Sequence, residues 1–328
     1  MKTILGLAAA AIAFAGLAAA PLYLGTYGIG LMIGLIGYVT LASAWALFSG
    51  PTRFVSLATV AFFGIGAYTV SAFYESFPPL MVLGLAALIG LGVSLLVGLA
   101  TLRLAGVYFV IFTFGLAELI RQLVTWYEVN ITGTLGRYLF VSYGPEVVYW
   151  QLLVLCAVTF GIGYLIQRSR LGLALKMIGD DEVVAEHCGL PTARVKLALF
   201  ALSSVIITLV GAIQAPRWTY IEPTIVFNPT ISFLTLIMAL LGGATRLWGP
   251  AVGAVPLFLL FEWLSANFPD HYSIILGLLF MAIVFVLPRG VLDFLEGLTA
   301  RMKSERSRQA AGTAPEHGKG RLAEGEAK

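Results

Sequence analysis

Charge is what this 328-residue chain has least of: Asp, Glu, Lys and Arg make up 11% of it, against 59% hydrophobic residues. A soluble domain carries about 25% charged and about 45–50% apolar residues. Twenty Lys/Arg and seventeen Asp/Glu do not cover the surface that two soluble domains of this combined length would expose. The scarcity excludes a soluble enzyme and places the chain in a bilayer. A formal net charge of +3 is too small and too dispersed for a nucleic-acid footprint, so the basic residues are read as topology markers. Two cysteines, Cys156 in an apolar stretch and Cys188 in a polar one, offer no disulfide framework. The three histidines, His187, His271 and His317, lie far apart with no neighbour at ligand spacing, which argues against a metal site. Motifs for phosphate binding and hydrolysis are missing as well. No Gly-x-x-x-x-Gly-Lys-Ser/Thr or Gly-x-Ser-x-Gly occurs, and Gly64-Ile65-Gly66 lacks a third glycine. The chain thus carries no P-loop for ATP and no clustered nucleophile, base and metal.

What the chain does have is apolar length. A spanning helix needs about 20 mostly apolar residues, and ten windows answer to that: 4–24, 27–49, 54–73, 80–101, 104–127, 147–167, 197–215, 231–245, 250–265 and 273–287. The fold class predicted is an all-α membrane protein, a polytopic bundle of about ten (8 to 10) transmembrane segments. The eighth window is short and either spans or re-enters. The first, with Lys2 ahead of an alanine-rich run ending in Ala18-Ala19-Ala20, reads either as a retained helix or as a cleaved signal. With residue 1 inside and all windows crossing, the inner side holds Lys2, Arg53, Arg103, the loop from Arg168 to Lys196, Arg246 and Arg289, whereas the outer side keeps Arg137 and Arg217. That asymmetry satisfies the positive-inside rule. Residues 301–328 are polar and charged with little apolar content and read as a disordered cytoplasmic tail, which leaves 1–300 as the membrane domain. All six tryptophans fall near window ends, where amphipathic rings favour the headgroup level. Gly50-Pro51-Thr52-Arg53-Phe54 is echoed by Gly243-Ala244-Thr245-Arg246-Leu247, a hint of internal repetition.

The polar stretch from Arg168 to Lys196 is the longest charged interruption between windows and is patterned. Asp180 or Asp181 can cap a helix whose first turn holds Glu182, and Gly189 followed by Pro191 stops it. The expected product is a helix of about two to three turns between spans, with Val183, Val184 and His187 on one face and Asp180, Asp181 and Glu186 toward solvent. An exposed apolar stripe of that kind suits a protein partner or a headgroup surface.

Several blocks in order resemble one family. Ser169-Arg170-Leu171-Gly172, then Asp181-Glu182-Val183-Val184-Ala185-Glu186-His187-Cys188-Gly189-Leu190 and Lys196, are similar to the cytoplasmic coupling loop of permeases of branched-chain amino-acid ABC importers. Ala61-Phe62-Phe63-Gly64-Ile65-Gly66-Ala67-Tyr68-Thr69, Arg103-Leu104-Ala105-Gly106-Val107-Tyr108, Leu241-Gly242-Gly243 with Gly249-Pro250, and Leu287-Pro288-Arg289-Gly290 resemble its other signatures, over about residues 27–292. Within that family the chain is similar to the longer, LivM-type permease. The resemblance implies a permease that moves amino acids across a bacterial inner membrane, and the positive-inside count puts both termini in the cytoplasm. It implies a second homologous permease, two ATPase subunits that hold ATP and Mg, and a periplasmic binding protein. No cofactor is expected on this chain, no nucleic acid is a partner, and the lipid bilayer is its medium. Asp180, Asp181, Glu182, Val183, Ala185, Glu186 and Gly189 are the implied ATPase-coupling residues. Phe63, Gly66 and Tyr108 are the implied pathway residues, and Glu118 and Arg121 join them on physical grounds.

Physical reasoning adds to the last group. Glu118 lies fourteen residues into the window 104–127, about 21 Å along a helix rising about 1.5 Å per residue, and shares a face with Arg121, Gln122 and Thr125. A lone charge at that depth costs about 2.5–3.5 kcal/mol on insertion scales, so Glu118 and Arg121 are expected to pair, either lining a pathway or locking two helices together. The rival class is a secondary transporter or channel that needs no ATPase. A proton-driven carrier usually has more than one intramembrane carboxylate, and Glu118 stands nearly alone, with Glu262 close to an outer end.

Overall fold

A computed structural model describes residue 14 and residues 16–286, apart from 103, 105 and 142. The start of the first window, the terminal Leu287-Pro288-Arg289-Gly290 block and the tail 301–328 lie outside the described residues.

Eleven labelled helices make up the described bundle: α1 (Thr26–Thr52), α2 (Thr59–Phe73), α3 (Pro79–Thr101), α4 (Val107–Tyr127), α5 (Pro145–Arg168), α6 (Arg170–Asp180), α7 (Glu182–His187), α8 (Thr192–Gln214), α9 (Thr230–Gly242), α10 (Gly249–Asn267) and α11 (Tyr272–Val286). Proline stands in the first turn of α3, α5 and α10, where its missing N–H has no helical partner to lose. Seven stretches have the length and apolarity to cross a membrane, namely α1, α3, α4 with its following turn to Thr132, α5, α8 with its turn to Arg217, Pro223–Gly242 and α10. At fifteen residues each, α2 and α11 are shorter. The chain is therefore an all-α polytopic bundle, and every window from the second to the tenth coincides with a helix.

The bundle is built around α8, which packs against α1, α2, α3 and α5. Its spanning window is 72% buried, whereas that of α4 is 17% buried. Close approach at the centre rests on glycine. A Cβ on Gly66 of α2 would come 1.9 Å from the Thr208 carbonyl oxygen of α8, and one on Gly211 of α8 would come 2.0 Å from that of Phe63. Small residues let helix backbones touch in this way, which lipid-solvated bundles rely on in place of a hydrophobic drive. The late glycine block acts alike, since a Cβ on Gly242 would fall 1.7 Å from the Gly249 oxygen and α9 and α10 form a tight hairpin.

Two spans depart from the windows. The third begins at Thr59 instead of 54 because Arg53 takes the left-handed conformation at φ 59° and ends α1, and residues 53–58 run non-helically into the bundle. Their backbone is satisfied by side chains. Trp45 Nε1 donates to the Ser56 oxygen at 2.7 Å, Leu57 N–H to Thr113 Oγ1 at 3.1 Å, and Ser232 Oγ to the Leu57 oxygen at 3.0 Å while accepting from Val60 N–H at 2.9 Å. Irregular backbone at membrane depth is tolerated where protein buries and pairs it. The eighth window is a broken span: a single helical turn, Pro223–Val226, precedes a break at residues 227–229 and then α9. Together they run twenty mostly apolar residues in length, Pro223–Gly242, enough for a crossing that neither piece reaches alone.

Two ends of the bundle carry ion pairs. Arg53, α6 and α7 share the coupling end, where a Cβ on Gly50 would lie 2.2 Å from the Ala244 oxygen, so the two echoed segments abut there. At the opposite, ribbon end, Arg137–Tyr138 (β1) pairs antiparallel with Tyr220–Ile221 (β2), Arg137 opposite Ile221.

Candidate coupling site

The stretch from Arg168 to Lys196 folds into two helices, and α8 begins at Thr192, earlier than the 197 expected. Ser169 caps α6 by accepting from Leu171 N–H at 3.2 Å, and Leu175 and Ile178, one turn apart, bury its inner face. Asp181 caps α7: its Oδ1 accepts from Val183 N–H at 2.9 Å and Val184 N–H at 3.1 Å. Gly189, at φ 81°, supplies the left-handed stop. The helix is six residues long, shorter than the two to three turns expected, because Asp180 closes α6 instead of opening α7.

The coupling candidates divide by direction. Val183 and Val184 are 62% and 54% exposed, and Ala185 is fully buried. His187 Nδ1 lies 2.7 Å from the Val183 oxygen, so the exposed stripe of Val183, Val184 and His187 matches the expectation. Asp180 is exposed and sits 3.5 Å from Arg53. Glu186 accepts from Thr192 Oγ1 at 2.6 Å, which ties α7 to the first turn of α8. Glu182 turns inward, where it accepts a hydrogen bond from Lys196 Nζ. At the α6–α7 junction, a Cβ on Gly179 would lie 2.4 Å from the Pro51 oxygen, so the end of α6 rests directly on the end of α1.

The five pathway candidates do not form one group. Tyr108, 75% exposed, Glu118 and Arg121 lie on α4, the least buried spanning helix. Arg121 grips Glu118 with two donors, Nε at 2.9 Å and Nη2 at 2.5 Å, and Gln122 adds a third at 2.9 Å. Both charges belong to one helix, so the pair does not lock two helices of this chain, which corrects that alternative. Glu118 is eleven residues from the start of α4, about 17 Å instead of the about 21 Å read from the window 104–127. Phe63 and Gly66 are elsewhere: Phe63 is 2% exposed and meets Trp218 edge-on at 6.1 Å, and Gly66 is the contact with α8 already described. Their surroundings are helix packing, away from the polar face of α4.

Two residues that sequence reasoning passed over are structurally central. Glu128, 1% exposed, accepts from Gly136 N–H at 2.7 Å, Arg137 Nε at 3.1 Å and the Tyr68 hydroxyl at 3.2 Å, fastening the ribbon end. Phe54 lies under Lys196 at 4.5 Å from ring centroid to Nζ. Phe54 was legible only as the last residue of the echoed segment 50–54, and its contact with Lys196 was not.

Compared with known families, residues 27–284 match the one described as the branched-chain amino acid transport system / permease component. The chain belongs to this family. It is similar to the high-affinity branched-chain amino acid transport system permease protein LivM of Salmonella typhimurium, 26% identical over 289 residues, covering 78% of this chain and 67% of that protein. The Escherichia coli LivM is 25% identical over the same length. BraD of Pseudomonas aeruginosa, also a high-affinity branched-chain amino acid permease protein, is 26% identical over 154 residues, 45% of this chain and 49% of that one. No solved structure matches. The family match covers both the α6–α7 excursion and the polar face of α4.

Proposed function

We infer that this chain is the membrane-spanning permease of an ATP-binding-cassette importer that carries branched-chain amino acids or related small polar compounds across a bacterial inner membrane. The observation that carries the reading is α7. It offers an exposed Val183–Val184–His187 stripe, yet is capped by Asp181, seated on buried Ala185 and bonded to α8 through Glu182 and Glu186. A short helix so exposed on one side and so anchored on the other suits the docking of a force-generating partner. Family membership supplies the class of that partner.

In this reading the coupling end faces the cytoplasm, where two ATPase subunits hold ATP and Mg, and the permease performs no chemistry of its own. A periplasmic binding protein delivers solute at the ribbon end, and a second homologous permease completes the pore. Nucleotide-driven closure of the ATPases displaces α7 and shifts the bundle between outward- and inward-open states. The polar face of α4 lines the path: α3 presents Leu88, Leu95, Leu96 and Leu99 outward as lipid demands, whereas Glu118, Arg121 and Gln122 suit water or protein.

A benzophenone attached at Val183→Cys, in a Cys188→Ser background, tests the docking. Photolysis of the membrane-embedded chain is expected to join it to a nucleotide-hydrolysing subunit. Crosslinks to lipid alone, with uptake that survives ATP depletion, would overturn the assignment.

A further inference from the structure

The connection from α7 to the buried bundle is concentrated in one side chain. Lys196 stands four residues into α8, at the coupling end, with its side chain 4% exposed. Its Nζ donates to Glu182 Oε1 of α7 and lies 4.5 Å from the ring centroid of Phe54. One ammonium therefore touches three elements: α7, α8 and the non-helical segment 53–58. A leucine at this position would fill the same space without the desolvation of a buried charge, so packing alone gives no reason for lysine. What lysine adds is a directional bond to α7 and a cation–π contact with the segment beneath.

Beyond Phe54 the contacts continue inward through rings. Phe54 meets Phe109 of α4 edge-on at 5.2 Å, Phe109 meets Phe48 of α1 at 6.1 Å, Phe48 meets Phe200 of α8 at 5.2 Å, and Phe200 meets Phe62 of α2 at 5.8 Å. Phe48, Phe62 and Phe109 are buried to within 1%, and close-packed interiors pass on a displacement because they do not compress. A second link from the α6–α7 excursion to the segment, Asp180 with Arg53, joins side chains 82% and 69% exposed and is weakened by solvent. Segment 53–58 is also the one suited to move: it has side-chain hydrogen bonds where a helix would have a backbone ladder, and it leads straight into α2.

We propose that Lys196 is a positioning residue that transmits displacement of α7 through Phe54 to segment 53–58 and so to α2. The proposal rests on the importer reading above. The test uses the complex with its ATPase subunits and binding protein in liposomes, with leucine as the probe solute. Lys196→Met is expected to hydrolyse ATP near the wild-type rate while moving about five-fold less leucine per ATP, the scale on which residues between coupled sites act. Lys196→Arg, whose guanidinium can bond Glu182 and stack on Phe54, is expected to retain the ratio. Phe54→Leu keeps both charges and removes only the ring. It is expected to lower the ratio in the same direction, and it decides the matter if Lys196→Met fails to accumulate. A wild-type ratio in Phe54→Leu and in any folded Lys196→Met overturns the relay. A wild-type chain with no ATPase subunit attached overturns the importer reading instead.

Discussion

Glu128 shows how much a single carboxylate can hold. Three donors from α2, the 133–136 turn and β1 converge on it at 2.7–3.2 Å. Replacing it by leucine leaves Gly136 N–H and the Arg137 guanidinium without their acceptor. An unsatisfied buried group costs about 1–3 kcal/mol, and the 27% exposure of Arg137 keeps the loss below that of a fully buried broken pair. Glu128→Leu is expected to lower the melting temperature of the purified protein by a few degrees and to open residues 133–136 to protease, with Glu128→Gln milder. An unchanged melt and digestion pattern in Glu128→Leu would show that the fastening is dispensable. Nothing in the sequence marked this residue, since a glutamate just past an apolar run reads as solvated; its partners are Tyr68, sixty residues earlier, and the segment 136–137 that folds back onto it.

At the scale of elements, α7 is too short to be helical by itself, as nucleation alone outweighs the few bonds it makes. Its stability must come from its cap and its seat. Asp181→Ala removes an acceptor shared by Val183 and Val184 N–H and costs about 1 kcal/mol. Amide exchange at residues 182–187 is then expected to quicken about five-fold relative to α6; equal rates would refute the capping role. The cap and the Gly189 stop were legible because each is a local steric or hydrogen-bonding rule. The length of α7 was not, because both Asp180 and Asp181 can cap and only the contact of α6 with α1 makes Asp180 a helix end. The start of α2 was hidden for a similar reason. Residues 54–58 are as apolar as any span, and their departure from helix depends on Trp45, Thr113 and Ser232, which come from three other helices.

At the scale of the whole molecule, the least buried spanning helix carries the most polar face. Glu118, Arg121 and Gln122 bond one another but remain half exposed in the isolated chain. In the assembled transporter, Glu118→Cys in a Cys188→Ser background is expected to react with a membrane-impermeant thiol reagent, while Leu95→Cys on the α3 face is expected to stay unlabelled. The reverse pattern would turn α4 toward lipid and remove it from the pathway. Pairing within this face was readable from three- and four-residue spacing. Its separation from Phe63 and Gly66 was not, since they stand on a different helix and which helix faces meet is decided by packing.

The membrane class, the position of the helices and the capped excursion at 181–189 followed from the sequence alone, because apolar length, proline placement and capping obey rules that act within a few residues. Folding in three dimensions decided which charges turn inward. Glu182 and Glu186 differ little as text, yet one faces a buried lysine and the other the start of α8. Where a chain breaks its helices and which side chains repair the breaks depend on partners far away along it, and no local rule reaches that distance.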